Sequence, residues 1–179
     1  GTIPIEAAMI AYNIPPGMLR PNFGFQLWDD YDNILWEKIY NESLSNIKKN
    51  NNIKIYGADN IAKNIELSVN SAKKLSLEKY IKFKVEDFKI FSVNGSNGVV
   101  IVNPPYGIRL GSESKLQELY KMIGDIYKNK CSGFDTYIFT HNKNLAKSVG
   151  LRTKKKIILK NGQLDCRLLY YPIKKGSYT

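Results

Sequence analysis

The chain has one histidine and two cysteines in 179 residues, which removes several chemistries at once. Cys131 and Cys166 are far apart and in no metal-type spacing, so neither a disulfide framework nor a zinc site can be built on them. Both are expected as reduced thiols, and no metal is expected. Catalysis by a histidine base would have to use His141, which ends an apolar run without a visible acid or nucleophile beside it. A turn role fits His141 better. Long hydrophobic runs are missing too: none approaches the roughly 20 residues that cross a bilayer, and residues from Gly1 onward do not form a signal peptide. A cytoplasmic protein is expected, with no membrane partner. Acids are also scarce, 16 against 27 Lys and Arg, leaving a formal net charge of +11. That balance suits a polyanion, although a general excess of Lys, Asn and Ile makes a chain basic without one. The runs Lys48-Lys49 and Lys154-Lys155-Lys156 read equally well as solvated faces or phosphate contacts.

The most informative stretch is Asn103-Pro104-Pro105-Tyr106, which follows the apolar run Val99-Val100-Ile101-Val102. The run is short, β-branched and bounded by Gly98 and the prolines, as a buried central strand of a parallel sheet would be. Its carboxyl end then faces the crevice where open α/β sheets bind ligands. Two prolines fix φ and remove two donors, so the turn is stiff and its carbonyls point in set directions. An Asn side-chain oxygen and the carbonyl beside it can each accept one N–H of an exocyclic amine. The aromatic ring of Tyr106 can stack on the base that bears the amine. The plainer alternative is a Pro turn with Tyr106 packed as core.

Around that strand the pattern alternates helix and strand. Residues 1–12 read as a helix with Ile3, Ala7, Ile10 and Ala11 on one face, and Gly1-Thr2 at its start leaves N–H groups that favour an anion. A breaker-rich loop leads to Arg20, Phe23, Phe25 and Trp28. These are either a surface for RNA or cofactor or, as the favoured reading, a plug that seats the next helix. Asp29-Asp30 offer a cap for a helix over residues 30–50, striped by Tyr31, Leu35, Ile39, Leu44 and Ile47. A strand then ends at Asp59, before a helix striped by Ile61, Ile65, Val69, Ala72 and Leu75. Asp59 can bond the hydroxyls of a ribose, with Asn60 beside it, or cap that helix. Residues 81–85 form a third strand, leaving through Glu86-Asp87-Phe88. Gly107 and Gly111 permit close backbone approach to a ligand, and Arg109 can grip a substrate phosphate or pair with an internal acid. A helix over residues 114–128 presents Leu116, Leu119, Ile123 and Ile126 inward; a strand over 137–140 and a short helix over 142–150 follow. Strands over 154–160 and 167–173 are joined through Asn161-Gly162, a hairpin signal. No repeat or linker divides the chain, so residues 1–179 are expected as one catalytic domain.

Asn-Pro-Pro-Tyr resembles the signature of amino methyltransferases. With Gly1-Thr2-x-x-Ile5-Glu6-Ala7-Ala8-Met9, Tyr56-Gly57-Ala58-Asp59, Val85-Glu86-Asp87, Asn103 through Leu110, and Asn161-Gly162-x-Leu164-Asp165-Cys166, the chain is similar to a narrower family. That family is the methyltransferase domain of the THUMP-associated bacterial 23S rRNA guanine-N2 methyltransferases. The resemblance spans nearly the whole chain. It implies an α/β class I (Rossmann-like) fold, mostly parallel, with an antiparallel closing hairpin and without the first strand, so that the domain is incomplete at its N-terminus. It implies S-adenosylmethionine as cofactor, 23S ribosomal RNA as partner and the exocyclic N2 of a guanosine as acceptor. Gly1 and Thr2 would touch the cofactor's amino-acid end, Asp59 and Asn60 its ribose, and Asp87 and Phe88 its adenine, while Asn103 adjoins the cofactor as well. Asn103, Pro104, Pro105 and Tyr106 would form the catalytic corner, and Tyr106 and Arg109 would bind substrate. Two departures stand out: of the family's Gly-rich cofactor loop only Gly1-Thr2 is present, and no THUMP domain is. An adenine-N6 methyltransferase would use the same four residues, and a nucleic-acid-binding module of the same fold would need none of them for turnover.

Overall fold

The computed structural model describes residues 1–48, 52–105 and 113–175. The expectations for Lys49, Tyr106, Gly107, Arg109 and Gly111 lie outside those residues. The chain divides into two compact units, Gly1–Asp87 and Phe88–Thr179.

The first unit contains helix α1 (Thr2–Ala11), a 3-10 turn (Gly24–Leu27), helix α2 (Asn33–Ser45), strand β1 (Ile55–Asp59), helix α3 (Ala62–Lys74) and strand β2 (Ile81–Val85). β1 and β2 pair in parallel, Ile55 opposite Ile81 and Asp59 opposite Val85. The core is made by Ile5, Ala8 and Met9 of α1 against Ala72, Leu77 and Ile81. The expected face of α1 is therefore corrected. Ile3 is 38 % exposed and Ile10 80 % exposed, whereas Ile5, Ala8, Met9 and Tyr12 are buried. Apolar side chains lie on nearly every side of this helix, so periodicity cannot choose among stripes and packing does.

α2 is shorter than expected and has no buried residue. Its cap is Asp32, whose carboxylate accepts the Leu35 N–H at 3.0 Å, and not the Asp29-Asp30 pair. The aromatic segment seats this helix, as the plug reading expects: Trp36 meets the rings of Phe23 at 5.2 Å and Phe25 at 4.9 Å. Along α3 the stripe of Ile65, Val69, Ala72 and Leu75 faces inward, joined by Ser68, while Ile61 is exposed.

The second unit begins with a 3-10 turn (Phe88–Ile90). It continues through β3 (Gly98–Val102), α4 (Glu113–Lys130), β4 (Phe134–Thr140), α5 (Lys143–Lys147), β5 (Lys155–Asn161) and β6 (Leu164–Pro172). Its sheet runs in the order β3-β4-β6-β5. β3 and β4 are parallel, and the last two strands close the sheet antiparallel. The hairpin turn is displaced by one residue from the expected Asn161-Gly162: Asn161 already pairs with Leu164, leaving Gly162-Gln163 as a two-residue loop. Gly162 has φ +60° and Gln163 does not have positive φ, as in a type II′ turn with glycine first.

α4 covers one face of this sheet. Beyond the expected Leu116, Ile123 and Ile126, it buries Tyr120, Gly124 and Tyr127. The Tyr120 hydroxyl lies 2.7 Å from Thr140 Oγ1, and the Tyr127 hydroxyl donates to the Tyr137 carbonyl at 2.8 Å, so two long side chains span helix to strand and satisfy their polar ends. Ile138 and Leu145 have no exposed surface, a contribution of about 1.5–3 kcal/mol each. The expectation of a buried central strand at residues 99–102 is corrected. Among the described residues β3 pairs only with β4, and Val99 and Ile101 are 62 % and 40 % exposed. Val100 alone in the strand is buried, because side chains alternate and one face meets the core. Among the described residues no helix is long and apolar enough to cross a membrane.

Candidate active site

In the first unit the two parallel strands end side by side, and the Glu86 N–H donates to the Asp59 carbonyl at 2.9 Å. Asp59 itself is half-buried and doubly held. Its Oδ1 accepts the Ile61 N–H at 2.8 Å, and its Oδ2 accepts Asn64 Nδ2 at 3.2 Å. The cap position of α3 is Ile61, with no side-chain cap bond, so Asp59 does not cap the helix; its carboxylate instead closes a turn onto the Ile61 N–H. The expected cap role of Asp59 is therefore corrected, while its two hydrogen bonds leave room for the ribose reading. Each carboxylate oxygen has a second lone pair, and a carboxylate oriented by two donors can still accept two vicinal hydroxyls. Asn60 is exposed beside it.

The same hydrogen-bonded chain leads to Gly1. Ser68 Oγ donates to the Asn64 carbonyl at 2.7 Å, and a Cβ on Gly1 would stand 2.5 Å from the Ser68 side chain. Only a residue without a side chain lets α1 start this close to α3. Within α1 the Ile5 N–H already bonds the Gly1 carbonyl at 3.1 Å and Pro4 has no N–H, which leaves the Thr2 and Ile3 N–H groups at the helix start. Nothing in the sequence marks Asn64 or Ser68; an Asn five residues after a strand-ending Asp is a weak signal without the contact.

At the exit of β2, Glu86 is the more shielded acid and is paired with Lys84, while Asp87 is exposed. Phe88 turns to other work in the second unit. Its ring stacks on Phe91 at 4.9 Å and meets Tyr127 edge-on at 6.4 Å, so packing already accounts for it.

The second unit holds the diproline corner at the carboxyl end of β3. Asn103 is exposed, Pro104 is buried and Pro105 is exposed. A buried ring between two exposed residues pins the turn to the fold and leaves the Asn103 amide open to a ligand. His141 is exposed at the end of β4, and its Nδ1 lies 2.8 Å from the Asp165 carbonyl. A carbonyl only accepts, so this nitrogen carries the proton, and the bond ties the end of β4 to β6 instead of closing a local turn.

Several similarities bear on these residues. Residues 1–170 match a family model described as RMKL-like, methyltransferase domain. The Ribosomal RNA large subunit methyltransferase K/L of Shewanella baltica (strain OS185) is 33 % identical over 180 residues, covering 99 % of this chain and 25 % of that protein. The crystal structure of SMU.472, complexed with S-adenosylhomocysteine, matches with a TM-score of 0.87 and 30 % identity over 99 % of this chain and 46 % of that one. A Listeria monocytogenes (str. 4b F2365) structure named as an N6-adenine-specific DNA methylase matches with a TM-score of 0.83 and 31 % identity, covering 97 % of this chain and 44 % of that one. The chain spans less than half the length of the curated relatives it matches. The fold is that of class I methyltransferases.

Proposed function

Because the chain belongs to the RMKL-like methyltransferase domain family, whose cofactor is S-adenosylmethionine, we propose that it methylates RNA, at the exocyclic N2 of a guanosine in 23S rRNA. The observation that carries this reading is the exposed Asn103 amide between the end of β3 and the buried Pro104. It is supported by the relative named for ribosomal RNA methylation.

The donor set fits the cofactor. Asp59, fixed by Ile61 and Asn64, has acceptors for ribose hydroxyls; Asp87 can accept an adenine amine; the Thr2 and Ile3 N–H groups suit a carboxylate. Bound S-adenosylmethionine supplies an electrophilic methyl group. Asn103 Oδ1 and the Pro104 carbonyl would accept the two N–H bonds of the acceptor amine, which turns its lone pair out of conjugation with the base. Tyr106 would stack on that base, and Arg109 would hold a phosphate. The amine's proton can leave to water after transfer, so the corner needs acceptors and no strong base. A guanosine within folded RNA has its amine enclosed, and the base would have to leave its stack.

The test is methyl transfer from labelled cofactor to unmodified 23S rRNA, followed by nuclease digestion and mass analysis of nucleosides. N2-methylguanosine is expected. N6-methyladenosine in its place would support the second reading, which would use the same Asn-Pro-Pro-Tyr corner and is favoured by the similar Listeria structure named for adenine-N6 methylation. Asn103→Ala should lower the rate by about 100-fold through lost positioning while RNA affinity holds. Retained turnover in that variant would overturn the role given to the corner.

A further inference from the structure

A cleft of about 380 Å³ opens beside the carboxyl end of β4. Its walls come from the exit of β4 (Thr140, His141), from α5 (Lys143, Lys147) and from the closing hairpin (Lys156, Arg167). Four cations thus converge from α5 and the two strands of the closing hairpin, all within residues 143–167. Across the chain 27 bases accompany 16 acids, so four bases at that ratio come with about two acids. None lines this cleft among the described residues. Nor does any ion pair among the described residues involve Lys143, Lys147, Lys156 or Arg167.

Like charges gathered around a recess repel one another, and among the described residues no acid in the lining offsets that cost. The walls are nonetheless held. Thr140 Oγ1 lies 2.7 Å from the Tyr120 hydroxyl and accepts the Asn142 N–H at 3.1 Å. His141 is bound through Nδ1 to the Asp165 carbonyl. The start of α5 is capped from within, as Asn142 Oδ1 accepts the N–H groups of Asn144 and Leu145 at 2.9 and 3.0 Å. An anion here would be met by side chains, not by helix amides.

The ligand's chemistry follows from what the walls lack. No Phe, Tyr or Trp lines the cleft among the described residues, and the one aromatic, His141, is tied through Nδ1 to the Asp165 carbonyl, so charge outweighs stacking here. Charge without stacking recognises a phosphate and ignores sequence. Position narrows the source. β3 and β4 run parallel with Val102 opposite Ile138, so Asn103 and Thr140 leave the sheet at the same end, on neighbouring strands. The hairpin lies one and two strands further, at about 4.8 Å per strand.

We propose that this cleft is a phosphodiester subsite that holds a backbone phosphate of the RNA flanking the nucleotide presented to Asn103. It rests on the reading that the substrate is RNA and adds to it a sequence-independent grip separate from the catalytic corner.

The experiment compares three variants with the unaltered protein: Lys143→Gln/Lys147→Gln, Lys156→Gln, and Lys63→Gln/Lys74→Gln. The last removes two charges from exposed positions on α3, neither of which lines the cleft. Binding of a fluorescein-labelled single-stranded RNA of mixed sequence is followed against salt, with circular dichroism to verify folding. Both cleft variants should weaken binding several-fold and flatten the slope of log K against log salt by about 0.7 for each phosphate that is no longer neutralised. The α3 variant should change neither. Where turnover is measurable, cleft variants should raise KM for RNA while leaving kcat and KM for the cofactor unchanged. Equal weakening by the α3 variant, or unaltered affinity and slope in folded cleft variants, overturns the subsite. If no RNA is methylated yet the cleft variants alone lose RNA affinity, the methylation reading fails and the subsite stands. If methylation proceeds and the cleft variants behave as the unaltered protein, the reverse holds.

Discussion

Asp59 shows how one residue can serve fold and chemistry together. Its carboxylate ties the start of α3 through Ile61 and is steadied by Asn64, and that same fixation presets it for ribose hydroxyls. Hydrogen bonds to a charged group contribute about 1.5–3 kcal/mol each. Asp59→Ala should therefore weaken S-adenosylhomocysteine binding by about 10- to 100-fold, read by titration calorimetry. Asn64→Ala, which only loosens the carboxylate, should cost less. Wild-type affinity in Asp59→Ala would remove Asp59 from the site. The acid was readable in the sequence because it stops an alternating strand; its partner Asn64 was not, because a side-chain contact across a strand–helix turn has no periodic signature.

At the scale of elements, the close approach of α4 to the segment after α5 depends on Gly124. A Cβ there would stand 1.8 Å from the Val149 carbonyl oxygen, which is backbone and cannot swing aside. Alanine would gain about 1 kcal/mol in helix propensity, but the clash costs about 3 kcal/mol and wins. Gly124→Ala should lower the urea midpoint of unfolding, with the slope unchanged. The element pattern itself was largely legible. α3, α4, β4 and the closing hairpin lie within a few residues of the positions expected, because each alternates polar with apolar side chains at its own period. α1 packs on a face that its periodicity does not select, as it is apolar nearly all round, and α4 buries more than its aliphatic stripe because Tyr120 and Tyr127 enter the core with their hydroxyls satisfied.

For the molecule as a whole, pH is a lever on the second unit. Burial pushes the Cys131 thiol from 9.0 to about 11, with Lys130 opposing. The hydrogen bond that the Tyr170 hydroxyl donates to Asp135 at 2.5 Å, with burial second, raises that phenol from 10.0 to about 12. Burial also raises Tyr127 and Tyr171. All four groups hold their protons more tightly folded than unfolded, so their stabilisation is complete below pH 9 and is lost as pH rises towards about 12. The thermal midpoint should fall over that window, and Asp135→Asn should shrink the part of the fall that belongs to Tyr170. A flat profile from pH 8 to 12 would contradict this. The sequence by itself determined the α/β order, the diproline corner after its strand, and the acids that end β1 and follow β2, since all of these depend on neighbours along the chain. Only tertiary structure decided that β3 is an edge among the described residues, that Ile5, Ala8 and Met9 rather than Ile3 and Ile10 face the core, and that cations from residues 143 to 167 share one cleft. Burial and charge convergence are set by which elements meet, and spacing along a chain does not record that.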